Sequence, residues 1–498
     1  MSILTKYFPF RGGLNTTAPP LSVTPGELLD CLNYECLQEG GYQRIKGYHL
    51  YDGKETPDSV VPGVGPVLGV HVYRGDVYAI RDTATEGRLY KATSTGWVEV
   101  DNTFTFSLGG KYSFANYNFY GQDDQEEMFI VNGKDKAVKY NGATLVQLTT
   151  GLTEDTPCIV IGFKKHLVLG IQSSIMISSV GDPTNWDAAT GSAAEIAVGD
   201  TVNDLEVSQG ALIIGCRNST QVLYGNDSSD FRMEPLNKTG VMSRTLQNIG
   251  GQLIGVDNSG VMNLQASNAY GNFIYASISE RARDRVQRII EAGDMISILQ
   301  RQKGQYRLFS GQNGLYFSMT GPQLLGITRV YFNHPVRCAT NGEDPQGNEI
   351  NLFGSDNGQV FLMDSTNYFN GLPIQSNLLL AFHTFGLPTQ RKRFRQLNIE
   401  MKVDGQTQRL FVLPITDYGG GIAASATELL TRRTGAGLWD FSQWDDLLWD
   451  EQYASEGKAR INAVGANMGA VFTSEGIEDG IHAFYGATVH YSPRRLKR

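Results

Sequence analysis

Histidine and cysteine are the side chains best suited to hold a metal or move a proton near neutral pH, and their spacing here favours neither. The seven histidines, His49, His71, His166, His334, His383, His482 and His490, include no pair at metal-ligand spacing with each other or with a cysteine. His482 and His490 are eight apart in an expected strand and would share one face, which reads as a structural role. Cys31 and Cys36 lie five apart with no second pair, so they do not read as a zinc site. With Cys158, Cys216 and Cys338 the count is odd and the spacing wide, which suits buried thiols in a reducing compartment better than a disulfide framework. There is no Gly-x-Ser-x-Gly nucleophile elbow, and Gly109-Gly110-Lys111 lacks both the upstream glycine and the following hydroxyl of a phosphate loop. The acidic run Asp123-Asp124-Gln125-Glu126-Glu127 lacks the alternation of a calcium loop and reads as a solvated loop. The expectation is therefore a chain with no catalytic, cofactor or metal residues, and not an enzyme.

Charge points the same way. The 51 acidic residues outnumber the 42 basic ones, for a net charge of −9. That balance does not suit a protein that grips a phosphate backbone or an anionic membrane. No apolar run approaches the ~18 residues of a membrane span, and the start, Met1-Ser2-Ile3-Leu4-Thr5-Lys6, has no signal-like apolar core. A membrane anchor is not expected.

The elements behind these residues are mostly strands and turns. Gly is 57 of 498 residues and Pro only 17, so tight turns joining strands are favoured over helical bundles. In residues 1–60, Thr24-Pro25-Gly26-Glu27 has the pattern of a capping box before a short helix through Leu28, Leu29 and Leu32. Glu39-Gly40-Gly41 then turns a hairpin between 34–37 and 42–45. From 61 to 375, runs of alternating or continuous apolar residues are separated by Gly75-Asp76, Asn132-Gly133, Asn141-Gly142, Asp257-Asn258-Ser259-Gly260, Gln312-Asn313-Gly314 and Asp356-Asn357-Gly358. Strand clusters start near Val67, Tyr112, Cys158, Val202, Leu246, Met295 and Val336, a period of about 41–49 residues. That period predicts a β-propeller of about six or seven blades, without Gly-His and Trp-Asp pairs at the fixed places that WD repeats need.

Ile278, Ala282, Val286, Ile289 and Ile290 mark one helical face, with Ser277 or Ser279 able to cap it and Gly293 to end it. Its outer face carries Arg281, Arg283, Arg285 and Arg288 among acids, which suits a solvated face. Residues 376–498 read as a smaller β-sandwich-like domain: runs at 397–403 and 410–413 about Asp404-Gly405, and late strands at 470–473 and 483–491. Between them, Trp439-Asp440, Trp444-Asp445 and Trp449-Asp450 recur at five, the period of neither helix nor strand, and read as an irregular loop. The whole is expected to be all-β: an N-terminal docking segment, a propeller and a sandwich.

Propellers also host sialidases. The nearest approach to their Ser-x-Asp-x-Gly-x-Thr-Trp turn is Ser179-Val180-Gly181-Asp182-Pro183-Thr184-Asn185-Trp186, which occurs once with Ser and Gly out of place. A different resemblance covers more of the chain. Arg11-Gly12-Gly13-Leu14-Asn15-Thr16, Pro25-Gly26-Glu27, Asn33-Tyr34-Glu35, Gly40 to Tyr48, and the 178–186 stretch with 196–200 and 212–215 resemble phage virion proteins. The plan resembles the tail nozzle, or tail hub, of short-tailed bacteriophages. The resemblance implies a homo-oligomeric ring, usually a hexamer, in the virion tail, synthesised in the host cytoplasm. Its implied partners are the head–tail adaptor, tail fibre or spike proteins, and double-stranded DNA in transient passage during genome ejection. It transfers no catalytic residues. A conduit should not hold its cargo, so Asp123, Asp124, Glu126 and Glu127 are candidates for an acidic lumen, and the basic tail from Arg494 would point elsewhere. The alternative is a propeller-type tail protein that binds or cleaves host glycans.

Overall fold

Arg74 and Gly75 both take positive φ (51° and 78°), the geometry of a two-residue hairpin turn whose twist matches its strands. They join Val67–Tyr73 to Asp76–Asp82, which continue into Gly87–Thr93 and Gly96–Glu99 as one antiparallel four-stranded sheet. The computed structural model describes residues 3–494 apart from 21, 52–57, 102, 123–124, 192, 267–272, 404–406, 421–425, 433–454, 475 and 477–479. Within it this sheet is followed by six more, each opening with an inner strand: Ser113–Tyr117, Ile159–Phe163, Val202–Ser208, Gln247–Ile249, Met295–Gln300 and Cys338–Glu343. Each start lies within two residues of the position expected from the spacing. Consecutive inner strands are neighbours and the seventh returns to the first, closing a seven-bladed β-propeller.

The inner strands pack closely because small residues stand where a neighbouring blade presses in. A Cβ on Gly162 of blade 3 would lie 2.1 Å from the Tyr117 ring of blade 2. Asparagine amides tie blades together as well: Asn116 donates to the Val72 carbonyl, Asn203 to Val241 and Asn248 to Val207.

Blade 7 is completed from the other end of the chain. Its strands Cys338–Glu343, Glu349–Gly354 and Val360–Thr366 are joined by Gly47–Leu50, with Leu362 opposite His49 and Met363 opposite Tyr48. Tyr48 is fully buried among Phe332, Phe353, Phe361 and Phe369.

The second unit is a sandwich of two sheets built from both ends of the chain. One sheet orders Tyr34–Cys36, Tyr42–Arg44, His482–Pro493, Lys392–Val403 and Ser455–Gly465, with Leu4–Pro9 also paired to His482–Pro493. The other orders Leu28–Leu32, Ser376–Leu380, Met468–Ser474, Thr407–Thr416 and Thr427–Arg432. Leu397, Ile399 and Val489 from the first face Leu378, Leu410 and Phe472 from the second, all fully buried. The same continuous core takes in Ile254 and Val261 of blade 5, Leu315 and Phe317 of blade 6, and the helix Arg283–Ala292 through Val286 and Ile289. A long hairpin of blade 6, Gln305–Thr320 with Gln323–Val336, bridges the units: Leu14 N–H donates to the Ile327 carbonyl and Asn33 N–H to that of Arg329.

Several expectations change. Leu28–Leu32 is a strand rather than a helix. The capping-box bond does form, Glu27 Oε2 accepting the Thr24 N–H at 3.3 Å, but Gly26 at φ +97° breaks the helical path and pairing with Ser376–Leu380 takes the backbone. The N-terminal residues are not a detachable segment, since their strands lie inside the sandwich and blade 7. The expected hairpin Tyr34–Cys36 with Tyr42–Arg44 forms. Gln312-Asn313-Gly314 is no turn: it lies inside the continuous strand Gln305–Thr320, where a register shift and Gly311 at φ +58° make a bulge. Lys392–Val403 and Thr407–Thr416 lie in different sheets. His482 and His490 do not share a face, because a bulge at Tyr485 switches the alternation, and the core is lined by His482 and Phe484 before it and by Ala487 and Val489 after it. Gly293 ends the expected helix, whereas the Ser279 hydroxyl accepts the Val261 N–H instead of capping. The three Trp-Asp pairs lie outside the described residues.

A buried ionic group fastens blade 6 to blade 7 and to the N-terminal hairpin. Arg307, 1% exposed, donates to Asp364 at 2.5 and 3.1 Å and to Gln305 Oε1, and stacks on Tyr316. Lys303 joins Asp364 (2.9 Å) to Glu35 (2.7 Å). Burial opposes the Asp364 charge, but Arg307 and Lys303 outweigh it and hold its carboxyl well below the ordinary carboxylate range.

Candidate functional site

An inner strand alternates its side chains, so every second one points along the propeller axis. Together the seven inner strands enclose a central cavity of about 570 Å³, walled by Val70 and Ala115 and by the polar residues His71, Asn116, Asp204, Glu206, Gln247 and Asn341. Towards the end where the inner strands begin, a second cavity of about 540 Å³ adjoins it and shares Ser243, Arg244 and Ile296. At that mouth Lys111 pairs with Asp294 (3.1 Å) and Arg337 with Asp356 (2.5 Å).

The channel residues are positioned from neighbouring blades. His71 of blade 1 stacks on Phe114 of blade 2, and its Nε2 lies 2.8 Å from Asn116 Oδ1. Burial pushes the imidazole down to about 4, so it is neutral at pH 7. Asp204, the third residue of the inner strand of blade 4, is buried and accepts the Thr245 and Leu246 N–H groups on Oδ2, both at 2.9 Å, and the Leu205 N–H on Oδ1. Burial pushes it up to about 7 despite those donors. Glu206, two residues on, is pushed up to about 8 by burial and then by the charge of Asp204. Arg244 stands in the wall common to both cavities, with a positive φ of 62°. The arrangement offers a cation fixed in the wall at Arg244, two easily protonated carboxyls and several neutral hydrogen-bonding groups inside a rigid ring.

Glu126 and Glu127 of the acidic run do not line this cavity. Asp123 and Asp124 lie outside the described residues. The Glu126 carbonyl accepts the Tyr73 hydroxyl (2.6 Å), and Glu127, buried at the edge of blade 2, pairs with Lys139 at 2.9 Å. The stretch around Ser179 and Trp186 is a blade 3 loop held by Asp182, which accepts from the Thr184 hydroxyl and N–H. Among the described residues no three His, Cys, Asp or Glu side chains are grouped to hold a metal, and no helix is long and apolar enough to cross a membrane. The cysteines are all free, and four of them, Cys31, Cys36, Cys216 and Cys338, are buried. Sequence reasoning passed over Asp204, Glu206 and Arg244. The signal of the two acids is positional: an acid at every second residue just after a blade start points into the channel.

No protein-family model matches the chain, and no curated protein matches it. Among solved structures, a crystal structure of BBS1N in complex with ARL6DN, soaked with lead, is similar over 65% of this chain and 99% of that one, at 12% identity and a TM-score of 0.39.

Proposed function

We propose that the chain is a virion structural protein, the subunit of a ring-shaped tail hub or nozzle of a short-tailed phage. The observation that carries this reading is where the family-like N-terminal stretch lies. Arg11 to Tyr48 threads the sandwich, the blade 6 hairpin and blade 7, and one core runs through both units. A body stitched in this way transmits load rather than flexing about a linker, as a mount for other tail parts must. Leu4–Pro9 adds an edge: it pairs with His482–Pro493, and Ile3, Leu4 and Tyr7 beside it are exposed, so a neighbouring subunit or the adaptor could extend that sheet. DNA would pass through the middle of the ring, since a propeller cavity of about 570 Å³ is the size of a small-molecule pocket.

Electron microscopy of the purified chain, alone and mixed with the head–tail adaptor, tests the reading. Monomers alone and closed sixfold rings on the adaptor are expected. Trimeric spikes, or glycan hydrolysis that Glu206→Gln abolishes, would replace it with the host-glycan alternative.

A further inference from the structure

Among the described residues the buried arginines, Arg44, Arg81 and Arg307, each have several hydrogen-bond partners, whereas the half-buried Arg244 does not. Arg307 has Asp364 and Gln305, and Arg44 donates to the Ile374 and Gly476 carbonyls and the Ser376 hydroxyl. Arg244 has one long hydrogen bond among the described residues, Nη2 to the Tyr112 carbonyl at 3.4 Å, and no carboxylate within ion-pair distance. The nearby acids are otherwise engaged: Asp204 holds backbone N–H groups and Asp294 holds Lys111. The guanidinium therefore keeps most of its five donors for something else.

Its backbone is fixed from two sides. The N–H groups of Thr245 and Leu246, directly after it, are held by Asp204 of blade 4. Its own carbonyl accepts the N–H and hydroxyl of Ser297 in blade 6, both at 3.0 Å. These bonds maintain a left-handed conformation that a non-glycine residue rarely adopts, and such strain persists only where the surroundings enforce it. The result is a preorganised cation in a channel of small-molecule size, with Asn116, Gln247 and Ser297 as neutral neighbours.

We propose that the propeller channel binds a small oxyanion, a carboxylate- or phosphate-bearing metabolite seated on the Arg244 guanidinium. The planar fork of arginine matches two oxygens of either group. The neighbouring acids do not forbid it, because burial keeps Glu206 and part of Asp204 protonated near neutral pH. The site is independent of the ring and would be present in the isolated subunit.

Isothermal titration of the full chain with sodium phosphate and with sodium succinate, at ionic strength fixed by sodium chloride, tests it. Saturable one-to-one binding of at least one anion is expected. Arg244→Gln should weaken it at least tenfold, and Arg244→Lys, which keeps the charge but not the fork, should weaken it less. Arg232→Gln, on the exposed outer strand of blade 4, should leave it unchanged. Phosphate alone would assign a phosphate ester, and succinate alone a carboxylate. If Arg244→Gln fails to fold, as judged by its melting transition, Arg244→Lys decides the matter. The proposal is overturned if neither anion saturates, or if the folded Arg244 variants bind as tightly as Arg232→Gln.

Discussion

At the scale of single residues, the strongest constraints are buried charges. Arg307→Ala would leave Asp364 with Lys303 alone and open space beside Tyr316. Breaking one partner of a buried pair costs about 3–5 kcal/mol, so a large fall in the urea midpoint is expected. Replacing Arg307 and Asp364 together by Met and Leu should cost much less. Glu206 predicts a pH dependence of the opposite sense to a salt-bridged acid. Its carboxyl binds a proton more tightly in the folded chain, with a value near 8 against an ordinary 4.5. Its stabilising contribution is complete below 4.5 and is lost as pH rises towards about 8. Unfolding midpoints should therefore fall across that window, and Glu206→Gln should flatten the slope. A slope unchanged by the substitution would show that the proton resides elsewhere.

At the scale of elements, the blades were legible because each repeats the same physical problem. Glycines such as Gly75, Gly133 and Gly358 supply positive φ where strands reverse, and the apolar runs between such turns return every forty-odd residues, so Val67, Val202 and Met295 mark true blade starts. What was not legible depended on distant partners. Leu28–Leu32 has leucines at helical spacing, yet its conformation is decided by Ser376–Leu380, some 350 residues later. Bulges at Gly311 and Tyr485 reverse the side-chain alternation, which local pattern does not reveal. The channel residues were hidden for a related reason: Asp204, Arg244 and Ser297 stand on three successive blades and meet only when those blades pack side by side. Gly26 gives a test at this scale. It sits at φ +97°, and an added Cβ would lie 2.0 Å from the Pro9 carbonyl oxygen, which is backbone and cannot swing aside. Gly26→Ala should destabilise the sandwich by more than the ~1 kcal/mol of an unstrained glycine change, measured as a lower melting temperature.

At the scale of the whole molecule, the two units depend on the first fifty residues. Deleting residues 1–50 removes the fourth strand of blade 7, three strands of one sandwich sheet and one of the other. The truncated chain should aggregate or elute expanded on size exclusion and be digested throughout by low trypsin. A compact, protease-resistant propeller would show that the ring closes without Gly47–Leu50.

The closure of blade 7 by Gly47–Leu50 also sets an order of events at the ribosome. These residues emerge before the blades, but Val360–Thr366, against which Gly47–Leu50 pairs, follows about 310 residues later, and His482–Pro493, against which Leu4–Pro9 pairs, about 470 residues later. At about 5–20 residues per second, these strands wait roughly a quarter of a minute to a minute and a half with their backbone edges open. Blades 1 to 5 use only strands adjacent in the chain and can fold as they appear. The growing chain therefore trails ordered blades behind an unsatisfied leader. A holding chaperone acting on that leader, or slow synthesis of the stretch from Val360 to Pro493, would govern how much of the protein reaches its native form.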